Sequence, residues 1–150
     1  MQTMPCPFCQ LLSGEAPARW VAQEEDAAAL LPLPADVLAP GHTLVVPREH
    51  VRGVQEVSPI GLGAAMLLVQ RVARAMKIAL GAEGVCVLNA SGPGSGQTVN
   101  HLHFHVVPHW TDDEYYSWPE KRSTRVLPTD TDVLTLLQRS LRQCPGETEA

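Results

Sequence analysis

His101-Leu102-His103-Phe104-His105-Val106-Val107-Pro108 carries three of the six histidines of a 150-residue chain, on alternate positions of one short run. Alternation is the period of a β-strand. The spacing therefore predicts a strand with His101, His103 and His105 on one face and Leu102, Phe104 and Val106 on the other, against a core. Successive rings on that face stand ~6.5–7 Å apart. Neutral imidazole has a ring lone pair, so the row can attack an electrophile, shuttle protons or bind a metal. The spacing suits a phosphorus atom in front of the central ring. It equally suits two histidines on one zinc ion.

Working outward, the run follows a glycine-rich loop, Ala90-Ser91-Gly92-Pro93-Gly94-Ser95-Gly96-Gln97-Thr98. Glycines let a backbone approach a ligand closely and turn its amides towards an anion. Gln97 and Thr98 add side-chain donors, so the loop reads as a phosphate cradle that opens onto the histidines. Val85–Leu88 before it reads as the antiparallel partner of the histidine strand. Further upstream, Ser58 can cap a helix with Pro59 at its first position, Gly81 as its stop, and Ala64, Leu68, Val72, Ala75 and Ala79 as its apolar stripe. Gly61 and Gly63 weaken the start of that helix by ~1 kcal/mol each relative to Ala. Thr43–Val46 is a compact β run ended by Pro47, and Arg19–Ala22 and Ala27–Leu33 read as short strands. Cys9–Leu12 reads as a helical turn. A last helix is expected from a cap at Asp130 or Thr131 to about Gln143, carrying Val133, Leu134, Leu137 and Leu141. This order of elements is α+β: an antiparallel sheet with one long helix packed on it.

Composition narrows the function. Hydrophobic residues make up 45% and charged residues 18%, ordinary for a globular protein and too apolar for disorder. With net charge −5 and 11 scattered Lys and Arg, no basic stripe points to a nucleic acid polymer. No apolar run approaches the ~20 residues that span a bilayer, and Met1–Cys9 lacks the order of a secretory signal. The chain is read as cytoplasmic, with reduced thiols. Cys6-Pro7-Phe8-Cys9 is then either half of a metal site or two plain thiols. Cys86 and Cys144 read as packing or surface residues.

The histidine run resembles the His-x-His-x-His-x-x motif of the histidine triad (HIT) family, in its Hint-like branch. Cys6–Cys9 with Ser13-Gly14-Glu15, Ala39–His50 and Gly96–Val99 resemble further family segments in the expected order, so the likeness runs from about Cys6 to Pro108. It implies a HIT-like fold whose sheet extends across a homodimer. A HIT domain is expected over residues 1–110, with an extension over 111–150 packed on it. The resemblance also implies cleavage at the α-phosphate of a nucleoside monophosphate or nucleotide conjugate, through a covalent nucleotidyl-histidine. His103 aligns with the nucleophile, and His105 and His42 with residues that orient it and handle protons. Ser95, Gly96, Gln97 and Thr98, with Asn89, fall at substrate-binding positions. Cys6, Cys9, His50 and His101 align with the ligands of a structural zinc ion.

Two positions depart from the family pattern. Pro34 stands where a ribose-binding Asp is usual, with Asp36 two residues on. Ala90 stands where an Asn near the phosphate is usual, with Asn89 adjacent. The expected activity is a nucleotide hydrolase or phosphoramidase. The alternatives are a dinucleoside polyphosphate hydrolase, a nucleotidyl transferase, or a non-catalytic nucleotide-binding protein. Trp110 and Trp118 are expected in packing rather than in a leaving-group pocket.

Overall fold

The computed structural model describes residues 5–114, 123–129 and 132–143. The chain divides into two units, 1–117 and 118–150. In the first, a five-stranded antiparallel sheet runs in the order β1-β2-β3-β5-β4. Its strands are β1 (Trp20–Gln23), β2 (Ala27–Leu30), β3 (Thr43–Pro47), β4 (Gly84–Leu88) and β5 (Phe104–His109). The helices are α1 (Pro7–Leu12), α2 (Pro59–Leu80) and, in the second unit, α3 (Val133–Gln143). A 3-10 turn, Pro34–Asp36, lies between β2 and β3.

The period-2 reading holds for the faces of the histidine segment. Leu102, Phe104 and Val106 join Ala27, Ala29 and Val45 in a cluster under Leu68, Val72 and Met76 of α2. Ala28, Leu30, Leu44 and Val46 point the other way and enclose Phe8 of α1. Both faces of β2 and β3 are therefore covered. All four residues of Ala27–Leu30 are buried, which explains why β2 is small and uniformly apolar rather than alternating. It stops at Leu30, short of the expected Leu33, because Pro32 has no N–H to pair.

The strand boundary needs correcting. The chain bends at His101, His101–His103 lie outside the ladder, and β5 begins at Phe104. The backbone there bonds elsewhere: Leu102 N–H donates to Val51 O at 2.7 Å and His101 N–H to Val99 O at 2.9 Å. On the β4 side, Asn89 Nδ2 donates to His103 O at 2.9 Å, so a side chain takes the place of a strand partner.

Helix α2 has the expected ends. Ser58 Oγ accepts from Gly61 N–H at 3.0 Å, and Gly81 closes the helix in the left-handed region at φ 65°. Its buried face differs from the expected one. Gly61, Ala65, Leu68, Val69, Val72 and Met76 are buried, whereas Ala75 and Ala79 are exposed. The long Met76 reaches the core where the small alanines do not. Gly61 is also not the weak point that its propensity suggested. Glu49 Oε1 accepts from Ser58 N–H at 2.9 Å and from Ser58 Oγ at 2.7 Å. A Cβ on Gly61 would meet that carboxylate oxygen at 2.0 Å. Glycine leaves room for an acidic cap that also suits the positive end of the helix.

In the second unit, Asp132 accepts from Thr135 N–H at 3.2 Å and Thr135 Oγ1 at 2.6 Å, the pattern of a helix cap. The caps expected at Asp130 or Thr131 lie outside the described residues, as does Trp118. Trp110 packs on the core beside α2.

Gly61 and Gly63, two residues apart on α2, separate these effects. Gly61→Ala is expected to lower stability by about 1–3 kcal/mol through overpacking. Gly63→Ala, with nothing within 4 Å of the added Cβ, is expected to raise it by about 0.5–1 kcal/mol. Thermal or urea unfolding of the two variants checks the contrast.

Candidate functional site

Four residues from three segments converge at one end of the histidine run. Cys6 and Cys9 flank the first turn of α1, His50 follows β3, and His101 precedes β5. Their donor atoms all lie within 4.8 Å of one another. Cys6 Sγ lies 3.4 Å and Cys9 Sγ 3.6 Å from His101 Nδ1, and Cys9 Sγ lies 3.2 Å from His50 Nδ1. Donors around a tetrahedral zinc ion, at ~2.3 Å for sulfur and ~2.0 Å for nitrogen, stand roughly 3.3–3.8 Å apart. The set fits zinc in both chemistry and spacing. His101 is fully buried, and its Nε2–H donates to Pro47 O at 2.9 Å. That bond leaves the lone pair on Nδ1, aimed at the sulfurs. Burial lowers the His101 pKa, opposed by the Pro47 carbonyl and reinforced by His50 and His103. The ring is thus held neutral, as a ligand must be. Without a cation beside it, burial and the neighbouring Cys6 push the Cys9 thiol up to about 11, so metal binding there is coupled to proton release.

The other rings form a directed chain. Leu38 N–H donates to His42 Nδ1 at 3.1 Å, which assigns the His42 proton to Nε2. His42 Nε2 lies 3.0 Å from His105 Nδ1 and so donates to it. The His105 proton must then sit on Nε2. His103 Nδ1–H donates to His101 O at 2.8 Å, leaving the lone pair on His103 Nε2. The ring centroids of His103 and His105 are 5.1 Å apart. One ring presents an electron pair and its neighbour an N–H.

Burial, then the like charges of His103 and His42, lower His105 to about 4. Burial also lowers His42, although the backbone and carboxylate of Asp36 favour its charged form. Both rings are neutral at pH 7.

His103 and His105 line one end of a cavity of about 740 Å³, within the size range of small-molecule sites. Its walls are largely apolar, with Phe8, Leu11, Leu30 and Leu44 among them, and Gln10, Arg19 and Thr98 add polar groups. Pro34 and Asp36 both line it, and Asp36 is the single acidic residue in the lining. The loop is shaped by Gly92, Gly94 and Gly96, all at positive φ. Gln97 is committed inside it: Oε1 accepts from Gly92 N–H at 2.8 Å, and Nε2 donates to Arg52 O at 2.6 Å and Val99 O at 2.9 Å. Ser95 Oγ donates to Gly92 O at 2.6 Å. Asn89 holds the His103 carbonyl and accepts from Ser91 Oγ at 2.6 Å.

The sequence matches the HIT domain over residues 13–112. The chain belongs to the HIT family. An adenosine 5'-monophosphoramidase of Schizosaccharomyces pombe is 34% identical over 119 residues, 77% of this chain and 84% of that protein. An adenylylsulfatase of Arabidopsis thaliana is 26% identical over 144 residues, 95% of this chain and 72% of the relative. A zinc-bound histidine triad family protein of Mycobacterium smegmatis has a crystal structure alike at TM-score 0.70, with 32% identity over 93% of this chain and 95% of that one.

Within this HIT domain the sequence reading missed three supports of the site. The Pro47 carbonyl orients His101, the Leu38 amide orients His42, and Phe8 packs against His101 and His103 at centroid distances of 5.7 and 5.2 Å. The two backbone groups carry no residue-type signal. Phe8 does, since it lies between two metal-ligating cysteines.

The His105 shift makes stability depend on pH. The unfolded ring accepts a proton near its ordinary ~6.5, the folded one only near 4. The contribution is therefore complete above pH ~6.5 and is lost as pH falls towards 4. The melting temperature is expected to fall over that window, and to fall less steeply in His105→Gln. Calorimetry at matched pH values, read as the difference between the two proteins, removes the metal-ligand protonation that both share.

Proposed function

We propose that this HIT protein hydrolyses nucleotide conjugates at the α-phosphorus, as a nucleoside phosphoramidase, with His103 as nucleophile. The observation that carries the reading is the His103 geometry: a lone pair on Nε2, fixed by Nδ1–H to His101 O at 2.8 Å, at the wall of the cavity. In the first step Nε2 forms a bond to phosphorus and the bond to the leaving group breaks. The departing nitrogen keeps the electron pair and takes a proton from solvent. The ring gains positive charge, which the His101 carbonyl stabilises through Nδ1–H. In the second step a water oxygen attacks phosphorus, Nε2 recovers its pair, and the water proton passes to solvent. The covalent intermediate divides one difficult displacement into two easier ones.

His105 donates Nε2–H to a phosphoryl oxygen, and His42 keeps that proton in place by donating to Nδ1. Thr98 completes the phosphate end from the wall of the cavity. Gln97, Ser95 and Gly96 serve it by shaping the loop, and Asn89 by fixing the backbone of His103. Asp36, exposed at the wall of the cavity and its single acidic lining residue, takes the ribose hydroxyls in place of the residue at position 34. The names of the two relatives, a phosphoramidase and an adenylylsulfatase, both denote cleavage at an adenylyl group, which supports this substrate class and fits one nucleophile serving different leaving groups.

Cys6, Cys9, His50 and His101 would hold a structural zinc ion, which supplies cross-linking between α1, the end of β3 and the start of β5. We further infer a homodimer joined through β4. That strand pairs only with β5 among the described strands and leaves Val87 exposed at the edge, and Leu67 and Ile78 stand out from α2.

His103→Asn is expected to cut turnover of an adenosine phosphoramidate by about a thousandfold or more with an unchanged circular dichroism spectrum. Wild-type protein quenched in acid-free conditions should carry an adenylyl adduct on His103 by mass spectrometry. Near-normal turnover in the variant sinks the mechanism. Binding of adenosine monophosphate without turnover or adduct in the wild type favours a non-catalytic protein. Light scattering at micromolar concentration should give twice the mass of one chain, and a single-chain mass rejects the dimer.

A further inference from the structure

The segment that supplies two of the zinc ligands also forms a wall of the cavity. Pro7, Phe8, Gln10 and Leu11 of α1 line it, Cys6 caps the same short helix and Cys9 lies on it. At six residues, α1 is too short to be stable alone. Its position must come from tertiary anchors. Three are seen: the Phe8 side chain, buried under β2 and β3; Leu11 and Leu12, half-buried against the same cluster; and the two thiols against His50 and His101.

Phe8 joins the anchors to the nucleophile. In sequence it is bracketed by the two cysteine ligands. In space its ring touches a third ligand, His101, edge-on at 76°, and then His103 at 5.2 Å. The His103 ring has one fixed point, the Nδ1–H bond to His101 O. One hydrogen bond leaves the ring free to tilt about it. Two further rings pack on it, Phe8 at 5.2 Å and His105 at 5.1 Å, and restrict that tilt.

We propose that Phe8 is a positioning residue for His103, set in place by the Cys6–Cys9 clamp. When the four donors are drawn together on zinc, α1 is held against the sheet, and the Phe8 ring fixes the imidazole so that Nε2 faces the cavity. The metal site and the ligand cavity are then coupled through one side chain, and each stabilises the other's geometry. The catalytic consequence rests on the reading of His103 as nucleophile. The positioning itself does not.

The test follows the histidine ring signals by NMR in the full chain, labelled with nitrogen-15 histidine and loaded with zinc. Phe8→Leu is expected to keep one zinc per chain by metal analysis and to leave the His42 and His105 signals in place. The His103 ring signals should shift or broaden. Withdrawing zinc from wild type with a chelator should move the same signals in the same direction. Cadmium, with longer bonds to sulfur, should do so without opening the clamp, so a chain that unfolds when stripped still gives an answer. With an adenosine phosphoramidate as substrate, kcat should fall about ten- to hundredfold in Phe8→Leu, the scale of a misplacement near 1 Å. His103 signals unchanged in zinc-loaded Phe8→Leu, or unchanged on metal removal or exchange, overturn the proposal. If His103→Asn keeps full turnover, the nucleophile reading fails, while the ring signals still decide whether Phe8 positions His103.

Discussion

The site depends on one buried hydrogen bond, from His101 Nε2–H to the carbonyl of Pro47. The bond joins the end of β3 to the segment before β5, and it decides which nitrogen of His101 faces the cysteines. His101 in turn offers its own carbonyl to His103 Nδ1. A single residue thus acts as metal ligand with its ring and as orienting group with its backbone. A ring with the opposite tautomer would present N–H to two sulfurs and leave a buried carbonyl without a partner, a cost of about 1–3 kcal/mol for the orphaned group. The arrangement is therefore strongly biased towards one proton pattern.

Proton positions at the other rings follow by the same logic. The Leu38 amide fixes His42, and His42 fixes His105. Low local dielectric strengthens each of these bonds and disfavours a second positive charge in the cluster. Burial and the neighbouring rings together push His105 down to about 4, so the ring beside His103 remains a neutral donor at pH 7. The five rings, alike in sequence, hold different roles because each meets a different backbone or side-chain partner.

Much of this was legible in the sequence. Period 2 placed His101, His103 and His105 on one face, and the core clusters agree. The Ser58-Pro59 start and the Gly81 stop of α2 were correct because caps act through local backbone geometry. The zinc donors were legible by residue type, Cys-x-x-Cys with two histidines, once the family likeness was recognised. Other features were hidden. The histidine strand starts at Phe104, because Leu102 bonds to Val51 and Asn89 replaces a ladder partner. Gly61 looked like a weak helix residue, and only the structure shows the Glu49 carboxylate over its Cα, where a side chain would displace it from Ser58. Gln97 looked like a phosphate donor, yet its amide is spent on Gly92 within the loop and on the carbonyls of Arg52 and Val99 beside it.

By itself the sequence determined the elements, the faces of the central strands, the caps, and the kinds of atoms available for chemistry. These depend on residue type and on spacings of two to four positions. Only the tertiary structure decided which donors meet and where the protons lie. Cys6 and His101 are 95 positions apart, and the groups that set the tautomers are backbone carbonyls and amides from other segments. Every residue has such groups, so no sequence pattern marks the few that matter. Their identity is fixed only when the sheet closes and brings them within hydrogen-bonding distance of a ring.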